Sequence, residues 1–429
     1  MKELAILLIY RALLPLLFIF AFPGWVVKML KRGGFGTALN ERIGIYTTEA
    51  EFEPSGAVHL HAVSVGETAL ALKLLRKWQA AHPGTRFVLA TGTSTGHAFA
   101  SMAEVPGLRV TYSPLDFPWM IRSYLNRFEP SQVVLIEGEI WPNFLRIAQK
   151  RGIPVGLANA RVSPHSARRF LKIAPLLRPF FSRLSAICIQ EEDHRKLWET
   201  LGIDPKNIHL TGSLKFDPQS SDAPQLSKDF TKMLSSFGND RPVVLAASTF
   251  PGEETLIASA ILAANPQALP VIVPRHAERR AEVFETLTKA GFNPILRTAF
   301  QPPNAGKKNV FVIDTTGELA TWTSHADVVV IGKSFLSTGG QNPAEAILAR
   351  KPLVFGQHME NFQPLAAHLV EAKAVLVASS ETEISKAIRT ALVPAKSASL
   401  SENAMLVLAR HDGATQKHLQ ILQHTCQTA

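Results

Sequence analysis

From Ala57 onward, short apolar or β-branched runs alternate with longer stretches whose apolar residues recur at helical spacing. The runs Ala57–Val63, Arg86–Thr91, Arg109–Tyr112, Gln132–Ile136, Pro154–Ala158 and Ala186–Gln190 read as buried strands. Helical patterns separate them at Ala69–Ala81, His97–Ala103, Pro118–Phe128, Trp141–Gln149 and Ser166–Leu184. The rhythm pauses at Pro218-Gln219-Ser220-Ser221-Asp222-Ala223-Pro224, a polar, Pro- and Ser-rich stretch that reads as a linker. It restarts with strands at Pro242–Ala247, Leu269–Pro274, Asn309–Ile313, Asp327–Ile331 and Pro352–Phe355. Such alternation predicts α/β architecture: parallel sheets with helices on both faces, in two doubly wound halves. Two such halves leave a cleft between domains, a favoured place for ligands.

The first thirty residues break the pattern. Leu4 to Leu30 is mostly apolar, interrupted by Arg11, Pro15 and Pro23. The charge-free stretch from Ala12 to Val27 is a little short of the roughly 20 residues that span a bilayer. Trp25, Lys28, Lys31 and Arg32 read as an interfacial anchor followed by a basic collar, which keeps the main body on the cytoplasmic side. A cleaved signal and a buried core helix are the alternatives. Phe22-Pro23-Gly24-Trp25 lacks the small-x-small cleavage pattern of a signal.

Composition narrows the function. A length of 429 residues favours two domains, and a net charge of +10 favours an anionic partner. No zinc-finger spacing or aromatic RNP-like strand is present, so a nucleic-acid role rests on charge alone. The two cysteines, Cys188 and Cys426, form no disulfide framework and suit a reducing compartment.

Candidate chemistry sits at strand ends, where open α/β sheets bind their ligands. Glu67 follows the first strand in Ser64-Val65-Gly66-Glu67-Thr68. It is a candidate general base, or else a first-turn residue complementing the helix dipole. Glu137 and Glu139 follow the strand Gln132–Ile136, a pairing that can tune the pKa of either acid. Lys215 lies in Gly212-Ser213-Leu214-Lys215-Phe216-Asp217, just before the linker, as a mobile point charge for a developing anion. In the second half, Pro274-Arg275-His276 ends an apolar strand and offers a bidentate phosphate contact. Thr316-Gly317-Glu318 offers backbone N–H groups or a carboxylate to a base. Gly339-Gly340-Gln341-Asn342-Pro343-Ala344-Glu345 opens a helix whose N-terminus suits phosphate, with Glu345 placed for ribose hydroxyls. The basic helix from Arg168 to Arg183 suits lipid headgroups or a solvated face. His59 and His61 lack metal spacing and read as packed residues. No Asp-x-Asp motif in a strand-end context is evident, so no metal or other cofactor is expected.

Together these segments resemble the 3-deoxy-D-manno-octulosonic acid (Kdo) transferases of lipopolysaccharide synthesis. The matching motifs are His61 to Thr68, Glu137-x-Glu139-x-Trp141-Pro142-Asn143, Asn159-Ala160-Arg161-x-Ser163, Gln190 to Asp193, Thr211 to Asp217, Pro274-Arg275-His276-x-Glu278-Arg279 and Asn342-Pro343-x-Glu345. They occur in the family's order. The resemblance implies a GT-B fold, with two Rossmann-like domains facing a cleft and an N-terminal membrane-anchoring segment. It implies inverting transfer of Kdo from CMP-Kdo to the lipid A precursor lipid IVA, at the cytoplasmic side of the inner membrane. It casts residues 1–32 as the anchor, 33–217 as the acceptor-binding domain and 218–429 as the CMP-sugar-binding domain. It carries over Glu67 as proton acceptor and Glu137 and Lys215 as transition-state stabilisers. CMP contacts fall on Pro274, Arg275, Thr316, Gly317, Glu318, Asn342, Pro343, Ala344 and Glu345. The chain departs from the family at Gln341, where His is more frequent, at Gly138-Glu139-Ile140, where Thr-Glu-Leu is common, and by lacking a residue within Gln190–Asp193. The alternatives are another membrane-associated GT-B transferase, or an epimerase, using a different sugar nucleotide, and an anchored scaffold without catalysis.

Overall fold

The computed structural model describes residues 2–31, 39–46, 56–138, 140–162, 164–217, 226–304 and 306–427. The expected linker from Pro218 to Pro224, Glu139, Ser163 and the collar side chains at Trp25, Lys28, Lys31 and Arg32 lie outside the described residues. The chain divides into two compact units, Met1–Ser220 with His411–Ala429, and Ser221–Arg410.

The first unit is built on seven parallel strands. These are β1 Val58–Ala62, β2 Phe87–Thr91, β3 Leu108–Tyr112, β4 Gln132–Ile136, β5 Val155–Ala160, β6 Ala186–Ile189 and β7 Ile208–Leu210, in the order β3-β2-β1-β4-β5-β6-β7. Every residue of β1, β2, β4, β5 and β6 is buried, because helices cover both faces of the sheet. The second unit carries β8 Val243–Thr249, β9 Leu269–Pro274, β10 Asn293–Leu296, β11 Asn309–Val312, β12 Val328–Ile331, β13 Leu353–Phe355 and β14 Val375–Val377, in the order β10-β11-β9-β8-β12-β13-β14. Its strands are parallel too. In both sheets the winding reverses beside the first strand, between β1 and β4 and between β8 and β12. That reversal opens a crevice at the strands' C-terminal ends.

Two boundaries differ from the sequence reading. The last helix, Ala414–Gln427, belongs to the first unit, although the reading places all of 218–429 in the second domain. Leu419 and Leu422 join the core beneath β1, and Gly156 of β5 gives them room: a Cβ there would lie 2.5 Å from Leu422 Cδ2. The basic segment after Ser166 is two helices, Pro164–Lys172 and Ala174–Phe181. Pro175 sits at the start of the second, where its missing N–H costs nothing.

The apolar N-terminus is one helix, Lys2–Lys31, with Pro15 and Pro23 inside it. It is clasped along one side by the first unit. Asp116 accepts the Tyr10 hydroxyl at 2.9 Å and the N–H groups of Asn143 and Phe144 at 2.9 and 2.8 Å. Arg11 Nε donates to Asn143 Oδ1 at 2.7 Å, Glu3 pairs with Arg146 and Arg183, and Leu7 is fully buried. The opposite side exposes Leu8, Leu13, Leu16, Leu17 and Phe20, the last 83% exposed. An apolar face of this kind marks a membrane or partner surface.

Candidate active site

Glu67 lies in the first turn of the helix Val65–Ala81, immediately after β1. Ser64 caps that helix, its Oγ accepting the Glu67 N–H at 3.2 Å. The Glu67 carboxylate reaches back, taking the Ser64 hydroxyl at 2.9 Å and the Val63 N–H at 2.8 Å. This is a capping-box arrangement, displaced by one residue at the backbone donor. The structural role anticipated for Glu67 is therefore real, and it fixes the carboxylate at the lip of the crevice.

Glu137 follows β4, the strand paired with β1, so the two acids flank the reversal point. Its backbone has φ +62°, an uncommon conformation for a glutamate. The Glu137 N–H donates to the Ala158 carbonyl, and its own carbonyl accepts the Arg161 N–H at 3.1 Å, which ties the β4 and β5 ends together. Gly138 packs under that join: a Cβ there would stand 3.2 Å from the Arg161 carbonyl, so this chain's departure from Thr removes a close contact. Glu67, Glu137, Gly138, Ile140 and Arg161 line one groove of about 310 Å³.

Asn159 organises this corner. It is fully buried at φ +54°, a conformation Asn tolerates better than most residues. Its Nδ2 donates to Glu137 Oε1 at 3.4 Å, and its Oδ1 accepts the Leu214 N–H at 2.9 Å. Its backbone N–H donates to His418 Nε2 at 2.9 Å, and its carbonyl accepts Gln190 Nε2 at 2.9 Å. The Thr211–Asp217 loop is also held by His411 Nδ1, which accepts the Ser213 N–H, and by Lys73, whose Nζ donates to the Leu214 carbonyl at 2.6 Å. Lys215 rides on this braced loop.

The electrostatics join the same residues. Burial pushes the Glu137 carboxyl above its usual range, and Glu67 adds to that, while Arg161, Lys215 and Asn159 pull it back. Burial, with Arg161 adding to it and Glu137 opposing, lowers the Lys215 ammonium to about 8. The structure thus brings together Glu67, Glu137 and Lys215, with Arg161 and Asn159 added. The last two stand in a motif noted in the sequence, but nothing there signals their supporting role.

The residues singled out in the second unit are spread over three strand ends. Pro274 ends β9, and the exposed Arg275 follows, its N–H donating to the Thr249 carbonyl at 3.0 Å. Thr316 and Gly317 are exposed beyond β11, with Gly317 at φ +89°. Glu318 is committed locally: its carboxylate accepts Thr315 Oγ1 at 2.5 Å and Trp322 Nε1 at 3.2 Å and faces Arg297 at 3.6 Å. Asn342 Oδ1 accepts the Ala344 N–H at 3.2 Å, opening the five-residue helix Ala344–Leu348 behind Pro343. Burial alone raises the Glu345 pKa. Gly339 and Gly340 serve packing: Cβ atoms there would stand 2.5 Å from Asn361 Nδ2 and 2.5 Å from Met359 Sδ. Their freedom admits the neighbouring Met359–Asn361 turn, where the sequence reading gives it to an approaching phosphate.

His59 and His61 are core residues. His59 pairs with the Tyr124 hydroxyl at 2.9 Å and His61 with Ser113, and burial lowers them to about 3 and about 4.

Two Rossmann-like sheets of this order define the GT-B glycosyltransferase fold. Solved structures with that fold are similar along most of the chain. Anabaena Alr3699/HepE in complex with UDP-glucose has a TM-score of 0.55 at 16% identity, covering 86% of this chain and 99% of that one. A glycosyltransferase from Rickettsia africae has a TM-score of 0.58 at 11% identity, covering 88% of this chain and all of that one. Residues 37–218 match the family model described as 3-Deoxy-D-manno-octulosonic-acid transferase (kdotransferase). A 3-deoxy-D-manno-octulosonic acid transferase of Haemophilus influenzae is 33% identical over 390 residues, 90% of each chain. One from Bordetella pertussis is 32% identical over 428 residues, 96% of this chain and 97% of that one. The chain belongs to the Kdo transferase family and is a glycosyltransferase.

Proposed function

We propose that the enzyme transfers Kdo from CMP-Kdo to a lipid A precursor, lipid IVA, with inversion at the anomeric carbon. The observation that carries this reading is the gathering of Glu67, Glu137 and Lys215 around Asn159 at the strand ends of the first unit. Glu67 takes the proton from an acceptor hydroxyl as that oxygen attacks the anomeric carbon of Kdo. The bond from that carbon to the phosphate oxygen breaks, and CMP leaves as a phosphate monoester. Lys215, held as a cation beside Glu137, stabilises the developing negative charge, and Glu137 balances the charge built up around the anomeric carbon. The first unit binds the acceptor.

The second unit binds the nucleotide. Arg275 beside Pro274 contacts phosphate, the exposed Thr316-Gly317 turn braced by Glu318 presents backbone to the base, and Asn342 through Glu345 bind phosphate and ribose. The exposed apolar face of the Lys2–Lys31 helix holds the enzyme on the cytoplasmic face of the inner membrane. The clasp from Glu3 to Phe18, whose ring meets Phe117 edge-on at 6.0 Å, lays that length of helix along the protein, which supports lying on the bilayer over crossing it.

The test is mass spectrometry of lipid products after incubation with CMP-Kdo and lipid IVA, with CMP and UDP as competitors. Added Kdo mass, with inhibition by CMP and not by UDP, is expected. An unmodified lipid, or inhibition by UDP alone, rejects the reading in favour of another sugar nucleotide.

A further inference from the structure

The first unit holds a second cavity, of about 300 Å³, that the reaction scheme does not use. Its floor is Val63, Gly92 and Ser113, the residues just past the ends of β1, β2 and β3. Its walls are Ile43 and Leu115, and the N-terminal helix closes it with Phe18 and Phe22. Protein interiors seldom leave apolar voids larger than a water molecule, and this volume sits at the lower end of ligand pockets.

The cavity also carries a polar demand. Arg42 lines it and is only 5% exposed. Its Nη1 donates to the Gly92 carbonyl at 2.8 Å and its guanidinium covers the Tyr112 ring at 3.8 Å, yet Nε and Nη2 have no hydrogen-bond partner among the described residues. The indole N–H of Trp141, also in the lining, has none among the described residues either. Buried donors left unpaired are costly, so they point to an oxygen-bearing ligand. Apolar walls with a few converging donors match a hydrocarbon chain attached through an ester or amide or bearing a hydroxyl.

Position supplies the occupant. The Val63 N–H that borders the cavity donates to the Glu67 carboxylate, and Trp141 begins the helix just beyond Glu137. At the other end, Phe18, on the clasped side of the N-terminal helix, and the 43% exposed Phe22 one turn on form the cavity's outer edge. A chain lodged here runs from beneath that membrane-facing helix towards the proposed base. We propose that this cavity takes one acyl chain of the lipid acceptor, with Arg42 and Trp141 binding an oxygen of that chain. This rests on the acceptor reading above. It makes the acyl chain a positioning handle for the attacking hydroxyl.

The experiment uses the full chain in mixed micelles and two substitutions that fill the cavity independently, Ile43→Trp and Leu115→Trp. Each is assayed with a phosphorylated glucosamine disaccharide carrying fatty-acyl chains and with the same disaccharide stripped of them. Folding is checked by thermal melting. At least one folded variant is expected to raise KM for the acylated acceptor tenfold or more, with KM for CMP-Kdo and for the stripped acceptor within twofold of wild type. Equal shifts with both acceptors, or no shift, overturn the proposal. Occupancy is read separately, without donor, as the Trp141 fluorescence quenched by brominated acyl chains, taken against Trp141→Phe. Quenching by the brominated acceptor, but not by brominated phosphatidylglycerol, supports it. No quenching, or equal quenching by both, overturns it. If wild type transfers sugar to neither disaccharide, the acceptor reading itself fails, whatever the quenching shows.

Discussion

The two units share a sheet plan and use their strand ends differently. In the first, charged side chains converge: Glu137 and Lys215 are shifted by burial and by each other, and Asn159 ties both to the core. In the second, Glu318 is committed to Thr315, Trp322 and Arg297, and two glycines are committed to a neighbouring turn. The buried Glu253 and Glu254 after β8 are likewise taken up by backbone N–H groups and by Arg279, so of the groups singled out in the sequence there remain exposed backbone, Arg275 and the half-buried Glu345. Perturbed, mutually coupled ionisable groups mark a place for proton and charge movement. Backbone with a lone guanidinium marks a place for binding. On the function proposed above, chemistry falls to the first unit and nucleotide binding to the second.

The largest expected break in that division comes from Glu67→Gln. Glutamine can still serve the capping box, so the helix keeps its start while the base is lost. Turnover should fall roughly 10²–10⁴-fold with little change in melting temperature. A variant that keeps wild-type turnover reduces Glu67 to a cap. Next comes Lys215→Met, which should lower kcat by roughly 10²–10³-fold, the scale for losing one stabilising donor.

The wild-type pH profile sharpens the same point. The Lys215 cation is lost as pH rises through about 8, so kcat should decline on that alkaline limb. Lys215→Arg, slower but charged throughout, should lack it. In the second unit, Arg275→Ala should weaken CMP binding by roughly 10–100-fold, measured calorimetrically, the worth of a charge-assisted hydrogen bond. The smallest effect on chemistry and a clear one on stability is expected from Asn159→Ala. Leaving the Leu214 N–H unpaired should cost ~1–3 kcal/mol, visible as a lower unfolding midpoint.

The central strands were legible because both their faces are buried and they read as unbroken apolar runs; Gln132–Ile136 and Leu269–Pro274 match to the residue. The strands that escape notice are β7, β10 and β14, each at a sheet edge, only three or four residues long and partly exposed. Their sequences carry too little apolar contrast to stand out from loop. The return of Ala414–Gln427 to the first unit was hidden for another reason: its fit depends on Gly156 and Asn159, hundreds of residues earlier. The strand-end placement of Glu67 and Glu137 was legible from the sequence. Asn159 was not, because its value lies in hydrogen bonds to Glu137, Gln190, the Thr211–Asp217 loop and His418 that exist only after β4, β5, β6, that loop and the last helix have met.

The most direct test of the division is a CMP titration of Glu67→Gln set beside its turnover. Glutamine at this site should leave the CMP dissociation constant within twofold of wild type while transfer collapses. A dissociation constant that rises in step with the lost transfer would contradict the account.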